Sequence, residues 1–241
     1  MGRPHVFLRL AGCPLRCSYC DTRRSWESLP RAELHLPGAT EELANPVSQS
    51  ELAQTISRLT EAHGVSSGRT VLSVTGGEPL AQAEFLMKWL PTWPGKVLLE
   101  TAGIFADRLP EILPHLDYLS LDWKDPSDLA VGAKSLDPVA CLKSATEYDR
   151  SQVASASGNG LIMWVKFILH QQTDSAWLGD ALKQIAAIKS GIAVFLQPVT
   201  ACSGGPQPPE SSTLLAELIR WNDLPLDLRV LPQIHPLLGV R

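Results

Sequence analysis

The stretch Ala11-Gly12-Cys13-Pro14-Leu15-Arg16-Cys17-Ser18-Tyr19-Cys20-Asp21-Thr22 follows directly on a short apolar run, Val6–Leu10. Its cysteines fall in a CxxxCxxC pattern within a loop. Three thiolates this close suit three corners of a cubane iron–sulfur cluster and leave one iron open to an outside chelator. Structural zinc is the competing assignment, but it normally takes four protein ligands. No fourth Cys or His follows within the next dozen residues, His35 being the nearest candidate. The spacing is too tight for a disulfide framework and usual for a metal site in a reducing compartment. Cys141 and Cys202 stand apart and are expected to be ordinary packed or surface thiols.

Outward from the loop, apolar runs of strand length recur at Val6–Leu10, Val71–Val74, Val97–Leu99, Tyr118–Leu121, Ile162–Leu169 and Ile192–Leu196. Amphipathic stretches at Glu51–His63, Ala81–Leu90, Pro138–Tyr148, Asp174–Lys189 and Ser212–Trp221 separate most of them, and Ser48 and Glu51 have capping-box spacing. This β/α alternation predicts an α/β fold of parallel strands covered by helices. About six repeats suit a partial barrel better than a complete eightfold one. Ligands then collect at the carboxyl ends of the strands. Loops rich in Pro, Gly and Ser at Leu29–Pro46, Asp125–Asp137, Ser151–Gly160 and Thr200–Ser211 are expected as surface insertions and not domain linkers, so that 1–241 forms a single domain.

After the second strand comes Thr75-Gly76-Gly77-Glu78-Pro79-Leu80. Paired glycines let backbone approach a ligand closely, and a carboxylate can accept from an ammonium group. Alone this is a tight turn as readily as a site. A CxxxCxxC loop after the first strand with GGEP after the second resembles the radical S-adenosylmethionine (SAM) superfamily, whose barrel is the partial (βα)6 type. The resemblance implies a 4Fe-4S cluster on Cys13, Cys17 and Cys20, with SAM chelating the open iron. It also implies that Gly76, Gly77 and Glu78 bind the methionine end of SAM and that the backbone around Tyr19 contacts its adenine.

Further residues are similar to those of the 7-carboxy-7-deazaguanine synthases of queuosine and deazapurine biosynthesis. They are Gly2-Arg3-Pro4, Phe7-Leu8-Arg9-Leu10-Ala11-Gly12-Cys13, Cys20-Asp21-Thr22 with Trp26, Glu100-Thr101-Ala102-Gly103, Ser120-Leu121-Asp122-Trp123-Lys124, Gln197-Pro198 and Gln233-Ile234-His235-Pro236-Leu237-Leu238-Gly239. This resemblance implies a lyase that turns 6-carboxy-5,6,7,8-tetrahydropterin into 7-carboxy-7-deazaguanine with loss of ammonia.

By the same resemblance Thr22 gives an oxygen to Mg2+, a hard cation that wants oxygen ligands. A surface helix cap is the alternative for Thr22. Arg9 pairs with the substrate carboxylate through its planar guanidinium, although alternation does not settle which face it takes. Thr75 and Glu100 meet the pterin, and Glu100 suits its guanidine-like edge. Ser120, Asp122 and Lys124 alternate and so share a face; the resemblance sets them, with Gln197, beside SAM. His235 is raised toward substrate contact only by its Gln-x-His context. No acid or base for ammonia loss is evident.

A glycyl-radical enzyme activase shares the cysteine spacing but has no need of the Cys-Asp-Thr and Glu-Thr-x-Gly combination. A non-catalytic metal-binding protein would lack SAM turnover. The formal net charge of -4 gives no reason to expect nucleic acid or an anionic membrane as partner. No segment approaches the length of a transmembrane helix, so a soluble cytoplasmic protein is expected. The family implies a homodimer and a flavodoxin or ferredoxin as electron donor. Family members usually carry Gln-Gly-Glu-Gly shortly before the Gly-x-Pro that here is Gly2-Arg3-Pro4; the expectation is a chain shortened at its N-terminus, the alternative being that another segment such as the Leu29–Pro46 loop closes the site.

Overall fold

The computed structural model describes residues 5–129, 136–154, 160–201 and 204–234. Seven strands form one parallel sheet: β1 (His5–Leu10), β4 (Val71–Gly76), β5 (Lys96–Thr101), β6 (Tyr118–Asp122), β7 (Ile162–Leu169), β8 (Ala193–Pro198) and β9 (Asp227–Val230). They stand in that same order, each parallel to the next. A parallel neighbour requires a crossover. Helices α1 (Gln49–Ala62), α2 (Ala83–Trp89), α3 (Leu109–Ile112), α4 (Pro138–Ala154), α5 (Ser175–Ile188) and α6 (Ser211–Trp221) lie in those crossovers. The result is the α/β architecture of a partial radical SAM barrel.

Side-chain alternation divides the sheet into two faces. Val6, Leu10, Leu72, Val74, Val97, Leu99, Leu119, Leu121, Val165, Phe167, Val194 and Leu196 are buried in one apolar core with the helices. The residues between them line the other face, where polar and charged side chains gather toward the carboxyl ends.

Of the helices, α1 starts where the capping box predicts. The Ser48 hydroxyl accepts from the N–H of Glu51 and the Glu51 carboxylate accepts from the N–H of Ser48. The stretch expected as one helix over 81–90 instead opens with a 3-10 turn, Pro79–Gln82, and becomes α-helical only at Ala83. The short α3 and the edge strand β9 were not foreseen. Pro110 and Pro114 hide the first, and the second offers only four residues of weak alternation.

The segment 29–46 corrects an expectation. It is an antiparallel hairpin, β2 (Arg31–Leu36) with β3 (Ala39–Ala44), turning at Pro37-Gly38 with Gly38 at φ 74°. Its strands carry Arg31, Glu33, Glu41 and Glu42, so no apolar run announces them. Arg58 on α1 reaches Glu41 at 2.9 Å and Arg24 of the cysteine loop meets Glu33 at 2.5 Å. Both ion pairs are solvated and contribute little to stability. Among the described residues no helix is long and apolar enough to cross a membrane.

Candidate active site

The cysteine loop leaves β1 and closes on itself at its base. Gly12 donates its N–H to the Ser25 carbonyl at 2.8 Å, and Cys13 to that of Trp26 at 3.0 Å. Arg16 lies over the Trp26 ring, 4.8 Å from its centroid, and donates to the Cys13 and Leu15 carbonyls. Cys17 is buried with Leu15, Ala102 and Ile104 in a small second apolar cluster, against which Cys13, Tyr19 and Cys20 pack. All three cysteines therefore belong to or pack against one small apolar cluster at the carboxyl end of the sheet.

These residues fit a cubane. Cys13, Cys17 and Cys20 are free thiols. Among the described residues no three His, Cys, Asp or Glu side chains converge as ligands of a single metal ion do. A cubane instead asks each thiolate to meet a different iron. Burial raises the pKa of Cys13 and pushes that of Cys17 up to about 11, against the opposing charge of Lys124. Loading the site therefore releases thiol protons. Cys141 is fully buried in the main core, as expected of a packed thiol, and Cys202 lies outside the described residues.

The GGEP turn is pressed against the root of this loop. Gly77 donates to the Leu10 carbonyl at 2.7 Å and Glu78 donates to that of Gly12 at 2.9 Å. A Cβ on Gly76, whose φ is 122°, would stand 2.1 Å from the Leu10 oxygen, and one on Gly77 would stand 2.4 Å from the Gly12 oxygen. The glycines thus allow two backbones to touch.

Glu78 ties the same joint together through its side chain. Its side chain is 1% exposed. One oxygen accepts from the Thr101 hydroxyl at 2.6 Å and the Leu80 N–H at 3.1 Å, and the other from the Ala102 N–H at 2.9 Å. Burial raises its pKa, against these three donors and the charge of Lys124. Gly103, at φ 75°, donates to the Thr101 hydroxyl. The Glu-Thr-Ala-Gly and GGEP motifs are therefore two halves of one joint, and the carboxylate that should accept from SAM's amine is already engaged by protein.

On the polar face, Arg9 is exposed and stands in register with Thr75. Among the described residues its guanidinium makes no ion pair. The Thr75 hydroxyl donates to Glu100 at 3.3 Å. Asp122 sits between two lysines, with Lys166 Nζ 3.0 Å from Oδ1 and Lys124 Nζ 3.3 Å from Oδ2. These side chains are only 12–20% exposed, which disposes of the reading as a solvated strand end. Burial alone would raise the Asp122 pKa, but Lys166 and Lys124 outweigh it and hold the carboxyl below its ordinary value. Burial would lower both lysines, and the neighbouring anionic groups, Asp122 among them, reverse the sign. The Oδ1 atom of Asp122 is buried, with the Lys166 ammonium 3.0 Å away as its ion-pair partner.

Ser120 is buried on the same face of β6 and Gln197 is half-buried on β8. Lys166 was missed by sequence reading, because in the run Ile162–Leu169 it passes for one polar interruption. The Thr22 hydroxyl caps nothing, although the residue precedes the 3-10 turn Arg23–Trp26, and lies 4.0 Å from the Cys20 sulfur. Gln233 donates to Asp21 at 3.1 Å, bringing the end of the chain to the cysteine loop. His235 lies outside the described residues.

A partial parallel barrel with a three-cysteine loop at the carboxyl end of its first strand and a Gly-Gly turn after the next defines a radical SAM iron–sulfur enzyme. The family described as "4Fe-4S single cluster domain" matches residues 2–104. The 7-carboxy-7-deazaguanine synthase of Methanopyrus kandleri is 32% identical, covering 98% of this chain and 86% of that protein. That of Archaeoglobus fulgidus is 30% identical over 100% and 92%, and that of Geobacter sulfurreducens 28% identical over 99% and 91%. The chain belongs to the 7-carboxy-7-deazaguanine synthase family.

Proposed function

We propose that this chain is a radical SAM lyase that converts 6-carboxy-5,6,7,8-tetrahydropterin to 7-carboxy-7-deazaguanine with loss of ammonia. One observation carries the reading: the cysteine loop and an array of charged side chains from β1, β5, β6 and β7 meet at the same end of the sheet. When bound, the cluster and SAM supply a deoxyadenosyl radical that removes a hydrogen from the substrate.

The protein's own residues bind and orient. Arg9, exposed and unpaired among the described residues, captures the substrate carboxylate with its fork. Glu100, held by Thr75, takes the paired N–H groups of the pterin edge. Asp122 accepts a ribose hydroxyl of SAM, with Ser120, Lys124 and Gln197 around it. The peptide groups of Tyr19 make no hydrogen bond among the described residues and receive the adenine edge. Gly76 and Gly77 offer backbone to the methionine end, while Glu78 braces the turn that presents them. Thr22, with its hydroxyl beside Cys20, supplies an oxygen to Mg2+.

Residues 1–241 act as one domain in a homodimeric cytoplasmic enzyme served by a flavodoxin or ferredoxin. The test is an anaerobic assay of the reconstituted protein with SAM, Mg2+ and the pterin. Release of 7-carboxy-7-deazaguanine is expected from the parent. Arg9→Lys keeps the charge but loses the fork, so KM for the pterin should rise about tenfold while uncoupled SAM cleavage persists. No product from a parent that holds its cluster and cleaves SAM would refute the substrate assignment.

A further inference from the structure

Beside the cysteine loop lies a buried pair that the reaction above does not use. His170 follows β7 and Asp128 lies in the turn Pro126–Asp128; both side chains are 7% exposed, and His170 Nε2 is 2.7 Å from Asp128 Oδ1. A carboxylate only accepts, so Nε2 donates to Asp128, while Nδ1 lies 3.1 Å from both the N–H and the Oε1 of Gln172. The same carboxylate oxygen accepts from the Ser18 hydroxyl at 3.2 Å. The Asp128 carbonyl accepts from the Ser18 N–H at 2.9 Å, and Cys17 bridges to Leu129. The Tyr19 ring stands 6.4 Å from the His170 ring. Three consecutive residues of the cysteine loop, 17 to 19, thus lean on a turn that His170 anchors to the end of β7.

We infer that His170 and Asp128 are positioning residues that hold the Cys17–Tyr19 backbone in its SAM-receptive conformation. This rests on the proposed contact between the Tyr19 backbone and adenine. Their partners are protein groups, and their proposed action is indirect. They act through Ser18, whose backbone and hydroxyl are both tied to Asp128, and through the packing of Tyr19. Without the brace, the loop still has its closure at Gly12 and Cys13, so it keeps three cysteines able to load. The segment that then gains freedom is the one that meets adenine, and SAM must order it on binding.

The test uses the full chain, reconstituted anaerobically, with SAM affinity measured by equilibrium dialysis and the reduced cluster followed by electron paramagnetic resonance with and without SAM. His170→Ala and Asp128→Ala should retain parental iron content and weaken SAM binding about tenfold, the loss expected from one buried hydrogen bond to a carboxylate. The SAM-induced change in the cluster spectrum should be correspondingly incomplete at the parent's saturating concentration. Asp128→Asn keeps Oδ1 as an acceptor for both His170 and Ser18 and should restore affinity to within about threefold. Ser18→Ala, a change at an exposed residue, should give a smaller loss of about threefold and carries the test should the larger changes fail to fold. Parental SAM affinity in every variant that folds overturns the inference. So does equal loss in Asp128→Asn and Asp128→Ala, because it would mean that the charge and not the tether matters. A parent that loads its cluster but binds no SAM instead refutes the functional reading on which the inference stands.

Discussion

Replacing Glu78 by Gln separates the two uses to which its carboxylate could be put. In the folded protein one oxygen takes the Thr101 hydroxyl and the Leu80 N–H, and the other takes the Ala102 N–H. A glutamine has the same shape but only one acceptor. Whichever way the amide is turned, its NH2 faces at least one backbone N–H with no water to intervene. The orphaned donor and the lost charge-assisted bond together cost about 2–3 kcal/mol. Taking a urea slope of about 3 kcal/mol per M, at the upper end of the usual range, the midpoint should fall by roughly 0.7–1 M. The assay is urea unfolding of the cluster-free protein followed by circular dichroism, with SAM affinity measured on the loaded protein. If Glu78 is a brace, the midpoint falls and SAM binding weakens only as the turn loosens. An unchanged midpoint with SAM binding abolished would refute this reasoning and return the carboxylate to the ligand.

Each of Cys13→Ala, Cys17→Ala and Cys20→Ala should abolish SAM cleavage and leave sub-stoichiometric iron, while Cys141→Ala, a change in the main core, should keep both; iron content and deoxyadenosine release check this. Thr22→Ala should lose magnesium stimulation more than SAM affinity, and an equal response to Mg2+ in variant and parent would count against the oxygen-ligand role. Asp122→Asn leaves two largely buried ammonium groups without their shared anion and should destabilise the protein by about 3 kcal/mol at pH 7. Because the folded pKa of Asp122 is depressed, its contribution is complete above the ordinary value of about 3.9 and is lost as pH falls through the lower folded value. The gap between parent and variant urea midpoints should therefore close on acidification below about pH 4; a gap constant with pH would deny the ion pairing.

What was legible in the sequence was whatever the chain writes locally. Six of the seven parallel strands are apolar runs because their outer faces pack against helices, and the cysteine spacing states its own chemistry. The hairpin of residues 31–44 escaped because its strands are rich in charge, and β9 because an edge strand of four residues needs little apolar surface. The site was half legible for a related reason. Arg9, Thr75, Glu100 and Asp122 lie at strand ends next to recognisable motifs, whereas Lys166 sits amid an apolar strand and becomes significant only when β6 and β7 set it opposite Asp122.

The double reading of the GGEP glycines and of Glu78 comes from one physical cause. A glycine reports that something comes close, and a buried carboxylate reports that donors surround it, but neither says whether the partner is ligand or protein. Here the partners of Gly76 and Gly77 are the backbones of Leu10, Gly12 and Ser25, and those of Glu78 are Leu80, Thr101 and Ala102. All of these belong to the ends of β1, β4 and β5 or the loops that leave them. The motif therefore fastens the ends of three adjacent strands to one another at the base of the cysteine loop. A loop that holds three thiols with only Leu15 and Cys17 tucked into a small apolar cluster draws much of its rigidity from beneath. The Gly-Gly-Glu turn supplies that rigidity under Cys13, as Asp128 and His170 do beside Cys17.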